Sequence, residues 1–89
     1  MTHEPRYRRR GLPFQEIQGQ AVIVTPARRE LHELDETATF LWSVLANESS
    51  VADLVAALCG EFEVDEATAE KHVREFLATL EEKELVTRR

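Results

Sequence analysis

The sequence predicts an α+β domain in which a three-stranded antiparallel sheet is followed by three helices. Three observations carry this. Short β-prone runs separated by turn residues fill the chain up to Leu34. A helix-capping junction lies at Asp35-Glu36. Beyond it, apolar residues recur every three or four positions almost to the end.

Met1 to Arg10 has no apolar period and reads as a mobile basic arm ahead of a single domain over residues 11–89, its four arginines either solvated or docking an acidic partner. Phe14 to Ile17 is a short strand. Gln18-Gly19-Gln20 follows it, with Gly19 free to take positive φ in a tight turn. Ala21 to Thr25 is the strongest strand signal, because β-branched residues suit a pleated surface. Pro26-Ala27-Arg28-Arg29 breaks it, since proline donates no ladder hydrogen bond. Glu30 to Leu34 then resumes extended structure. Three short strands joined by tight turns make a meander.

Asp35 is placed to cap the first helix by accepting from an orphan amide of its first turn. Ala38, Leu41, Trp42 and Leu45 fall on one face of that helix, which makes Trp42 a core anchor. The helix ends near Ala46-Asn47, and Asn47 to Ser50 is a turn cluster. Ser50 with Asp53 resembles a capping box for the second helix, whose apolar face is Val51, Leu54, Val55, Leu58 and Phe62. Asp65 caps the third and longest helix, about Glu66 to Lys83, with Ala69, Val73, Phe76, Leu77 and Leu80 on its apolar side. Leu85-Val86 packs back onto the core. Three helices and a small sheet are the make-up of a winged helix.

Eighty-nine residues make one domain with a shallow core. The net charge of −6 is unevenly placed: the first ten residues sum to +3 and the remainder to −9. An acidic body is a poor partner for phosphate backbones and suits a neutral or basic polypeptide better. No run approaches the ~20 apolar residues of a membrane helix. The basic start leads into Gly11-Leu12-Pro13 rather than an apolar stretch, so it is no signal peptide, and the expected location is cytoplasmic.

Catalysis finds no support in the residues. His3, His32 and His72 share no ligand spacing, so no metal site is expected. Cys59, the single cysteine, reads as a small buried hydrophobe with no base beside it. Three glycines form no phosphate loop, and the carboxylates recur along wet helix faces. No cofactor is expected.

What remains is surface. A meander has two edges, and an uncovered edge offers a row of free N–H and C=O groups to an extended peptide. The candidate edge is Arg28, Arg29, Glu30, Leu31, His32, Glu33 and Leu34. With the third helix alongside, strand and helix would wall a groove. Such an edge could also pair two copies weakly, so a monomer or weak homodimer is expected.

The run His32 to Ala38 with Leu41-Trp42 resembles the strand-to-helix junction of the PqqD-like proteins, also called RiPP recognition elements. Ser50 to Leu58, Phe62 to Asp65, Val73 to Leu80 and Leu85-Val86 are similar to the rest of that domain, and Arg10-Gly11-Leu12 looks like its start. The resemblance implies a peptide chaperone. Such proteins bind the leader of a ribosomally made precursor peptide and present it to a modifying enzyme, often a radical-SAM maturase, as in pyrroloquinoline quinone synthesis. It also implies that the leader adds beside the third strand, facing His72, Val73, Phe76 and Leu80 of the last helix. The family often has Asp where this chain has His72, and Asp-Gly where it has Asn47-Glu48. It often has Gly where this chain has Glu84, which predicts a different ending for the last helix.

Two other readings compete. A winged-helix DNA-binding regulator would use the third helix as reader, yet there Glu66, Glu70, Glu75, Glu81 and Glu82 outnumber Lys71, Arg74 and Lys83. A docking subunit of some other enzyme complex is the remaining alternative.

Overall fold

In a computed structural model of the chain, which describes residues 4–89, the order is β1 (Arg6–Arg9), β2 (Phe14–Ile17), β3 (Gln20–Thr25), β4 (Glu30–Glu33), α1 (Glu36–Val44), β5 (Ser49–Ser50), α2 (Val51–Glu61), α3 (Glu66–Glu82) and β6 (Val86–Arg88). The expected α+β class holds, but the strands form two three-stranded antiparallel sheets rather than one. The meander β2-β3-β4 is the predicted sheet, and β5-β1-β6 is a second.

The meander follows from its turns. Ile17 pairs with Gln20 across a two-residue loop in which Gln18 and Gly19 take φ of 53° and 80°. Positive φ at both positions matches the right-handed twist of the flanking strands. The β3–β4 turn closes with Arg28 N–H donating to the Thr25 carbonyl at 3.1 Å and with Arg29 at φ 55°. Ala21, Ile23 and Thr25 alternate inward along β3 and are buried.

All three helices start on the caps expected of them. Asp35 accepts from Ala38 N–H at 2.8 Å and Asp65 from Thr68 N–H at 2.7 Å. Ser50 and Asp53 form the reciprocal box, at 3.0 and 3.1 Å. The Ser50 amide, and then its side chain, hold the Asp53 carboxyl below its ordinary range; Thr68, side chain first, does the same for Asp65.

The segment read as a mobile arm is structured over part of its length. Arg6–Arg9 is the middle strand of the second sheet, because Tyr7 is buried and β5 and β6 supply partners on either side. Residues 1–3, including His3, lie outside the described residues. The turn cluster at Asn47 to Ser50 likewise contains β5.

The expectation of a different ending for the last helix is corrected. Glu84 N–H donates to the Glu81 carbonyl at 3.1 Å and Leu85 N–H to the Leu80 carbonyl at 2.8 Å. These are the paired bonds of a Schellman motif, with Glu84 at φ 58° in the position glycine favours. Leu85 is fully buried just beyond it, and that burial holds Glu84 in place. Left-handed backbone costs a non-glycine residue of order 1 kcal/mol or more. The exposed Glu84–Arg28 ion pair at 3.1 Å offsets only part of this. Glu84→Gly is therefore expected to raise stability by about 0.5–1 kcal/mol, read as a higher urea midpoint. A lowered midpoint would show that the ion pair outweighs the backbone cost.

The core between the layers is built on Trp42, Leu41, Leu45, Leu54, Leu58, Val73, Leu80, Leu85 and Ile23. Thr39 ties α1 to the sheet at the point where β3 and β4 part. Its buried hydroxyl accepts from Ala21 N–H at 2.8 Å and donates to the Leu34 carbonyl at 3.3 Å, so it replaces a rung of the ladder.

Candidate functional site: a groove between an edge strand and the last helix

Strand β4 is an edge: β3 covers one side, and no strand covers the other among the described residues. Leu34 N–H donates inward to the Ala21 carbonyl at 2.8 Å. Backbone groups alternate along a strand, so Glu30 and His32 also face β3. Leu31 and Glu33 turn their N–H and C=O groups away from it. The register agrees, with Ala21, Ile23 and Thr25 opposite Leu34, His32 and Glu30.

Helix α3 stands across from this edge. The two elements wall a groove of about 540 Å³ lined by Leu31, His32, Glu33, Leu34, His72, Phe76 and Leu80. The start of α1 closes the floor with Asp35, Thr37, Ala38 and Leu41, and Glu75, Thr79, Lys83 and Leu85 complete the lining. The Arg28–Glu84 ion pair pins the β3–β4 turn to the end of α3 and so sets one end of the groove.

Not every expected residue reaches it. Arg28, Arg29 and Glu30 belong to the turn and its first rung, outside the lining. Val73 is fully buried in the core. One residue is about 100° of helix turn, so the inward-packing Ala69, Val73 and Leu77 lie beside the groove face, and Leu80 sits where the two faces meet. His32 contributes mostly backbone. Its ring is buried, with Nε2 3.2 Å from Thr25 Oγ1.

Glu75, Thr79 and Lys83 also line the groove although the sequence expectation did not include them, and their signal was present. They continue His72 and Phe76 at helical spacing and share that stripe. The floor from α1 had no local signal, because it depends on how α1 crosses the sheet.

Chemically the groove offers outward main-chain groups along β4, apolar surface from Leu31, Leu34, Ala38, Leu41, Phe76 and Leu80, and charged groups beside it. Among the described residues Glu33, Glu75 and Lys83 have no ion-pair partner. No group of three or more His, Cys, Asp or Glu suited to a metal ion occurs among the described residues. No helix there is long and apolar enough to cross a membrane. Such an arrangement can hold an extended chain.

Residues 20–86, from β3 into β6, match the sequence model of the family described as coenzyme PQQ synthesis protein D. The chain belongs to the PqqD family. Both walls of the groove lie within the stretch shared with PqqD. No curated protein matches the chain. Among solved structures, TbiB1 in complex with the TbiA(beta) leader peptide is similar, with a TM-score of 0.80. The likeness has 28% identity and covers 89% of this chain and 93% of that one.

Proposed function

We propose that this PqqD family protein binds the leader segment of a ribosomally made precursor peptide and presents it to a modifying enzyme of the radical-SAM type. The leader adds as a strand along β4 and rests on α3. The observation that carries this reading is the open edge of β4, with two residues turned outward, facing α3 across a groove floored by the start of α1. The likeness to TbiB1, a protein whose structure holds a leader peptide, supports it. Main-chain pairing supplies affinity without regard to sequence, and the side chains of the groove select among leaders. The protein acts by binding rather than by catalysis, in the cytoplasm, as a monomer or weak homodimer.

Amide exchange with and without the leader of a candidate precursor peptide drawn from its gene neighbourhood tests the reading. Protection is expected in residues 28–34 and in α3. Protection in α2 or β2 instead would move the site, and an absence of binding to any neighbouring precursor would reject the function.

A further inference from the structure

The second sheet carries a charge pattern that the leader groove does not use. Residues 5–10 and 86–89 hold six of the eleven Lys and Arg residues and no Asp or Glu. Residues 11–85 hold the other five, against sixteen Asp and Glu. The fold brings the two basic segments together. Arg8 pairs with Thr87 and Arg9 with Val86, and Thr87 Oγ1 donates to the Arg8 carbonyl at 3.2 Å across 79 residues of sequence.

Alternation sorts the arginines by face. Tyr7 is buried, and the Arg9 guanidinium lies 4.8 Å from the Phe14 ring centroid and 5.6 Å from that of Trp42, so both face inward. Arg6 and Arg8 therefore face outward, about 6.7 Å apart. Arg6 and Arg89 exchange both main-chain bonds, at 3.2 and 2.8 Å, so they sit directly opposite on that outer face. Like charges in that arrangement are destabilising in the free protein. Arg89 reaches Glu48 at 3.3 Å and Arg88 reaches Glu81 at 3.6 Å. Arg6 and Arg8 have no ion pair within 4 Å among the described residues, though Arg6 stands near enough to Asp53 to help keep its carboxyl low.

We propose that the outer face of the β5-β1-β6 sheet, centred on Arg6 and Arg8, docks a carboxylate-rich segment of a partner polypeptide. Guanidinium groups hold carboxylates through paired, charge-assisted bonds. An extended segment with an acidic residue at every second position repeats at the same ~6.7 Å as Arg6 and Arg8. A nucleic acid fits less well. Its phosphates continue past a ribbon only about 13 Å long and meet the carboxylates of the surrounding body. The surface is separate from the groove, so its partner and a leader peptide can be held together.

The test is an amide-shift titration of the full chain with a synthetic peptide of alternating Glu and Thr, about eight residues long. Shifts are expected at Arg6, Arg8, Thr87 and Arg89 and not in β4 or α3, with affinity falling about tenfold or more as salt is raised. Arg6→Gln/Arg8→Gln should abolish the shifts, while Lys71→Gln/Arg74→Gln leaves them intact. Arg8→Gln alone, checked by melting, serves if the double variant fails to fold. Shifts that persist in a folded Arg8→Gln or double variant, or that fall on other elements, would overturn the proposal. So would tighter binding of an oligothymidine of similar length.

Discussion

Trp42→Ala is expected to remove about 3–5 kcal/mol, a large share of the domain's stability. Trp42 is 1% exposed, and its face of α1 also carries the buried Leu41 and Leu45. Phe14 meets the indole edge-on, with centroids 5.9 Å apart and planes at 86°. Arg9 covers the ring and donates to the Trp42 carbonyl at 3.2 Å. The indole thus joins α1, β2 and β1 in one cluster. Truncating a buried aromatic to alanine costs about 3–5 kcal/mol, and a domain of this size has total stability of order 4–13 kcal/mol. Trp42 Nε1 has no hydrogen-bond partner among the described residues, so the loss is one of packing alone. Trp42→Phe should therefore recover more than half of the lost stability. Urea melts of both variants decide it. An alanine variant melting close to the parent would show that this cluster contributes little.

Glu33→Pro is expected to weaken leader binding by about tenfold or more while leaving the fold intact. Proline removes one outward donor and places a ring where the incoming strand must pair. Because Glu33 faces away from β3, no bond to Val22 is lost, and an edge position tolerates the fixed φ. Leu31 has the same orientation, so Leu31→Pro should act alike. His32→Pro is the contrast. It removes a donor facing Ile23 and a buried ring, and should lower the melting temperature sharply. Calorimetric titration with the leader, beside thermal melts, separates the two effects. Undiminished binding in folded Glu33→Pro and Leu31→Pro variants would mean that the leader does not pair with β4.

The parts of the fold legible in the sequence were those encoded locally. Asp35, Ser50 with Asp53, and Asp65 each act within one helical turn, and the Gln18-Gly19 turn fixes its own hairpin. The second sheet is different. β1 contains one apolar residue, Tyr7, among arginines, and β5 is two residues long. Neither has a strand signature until β6 arrives from the far end of the chain. The Glu84 turn is similar, since its conformation is imposed by Leu85 entering the core. At the site, β4 could be read as an edge from its position in the meander. The phase of α3 could not be read so finely. Val73 and His72 are neighbours in sequence, and only packing decides which one faces the groove.

The pairing of β1 with β6 also bears on how the chain folds. Closing a loop that spans nearly the whole chain costs more entropy than any contact inside the meander or the helix pairs. Such long-range contacts raise the contact order and slow folding. The meander and the helix pairs can form before the two distant strands meet, and β1 then lacks its longer partner. Until β6 docks, Tyr7 and the arginine ribbon stay unsettled, so closure of the second sheet is a late step of folding.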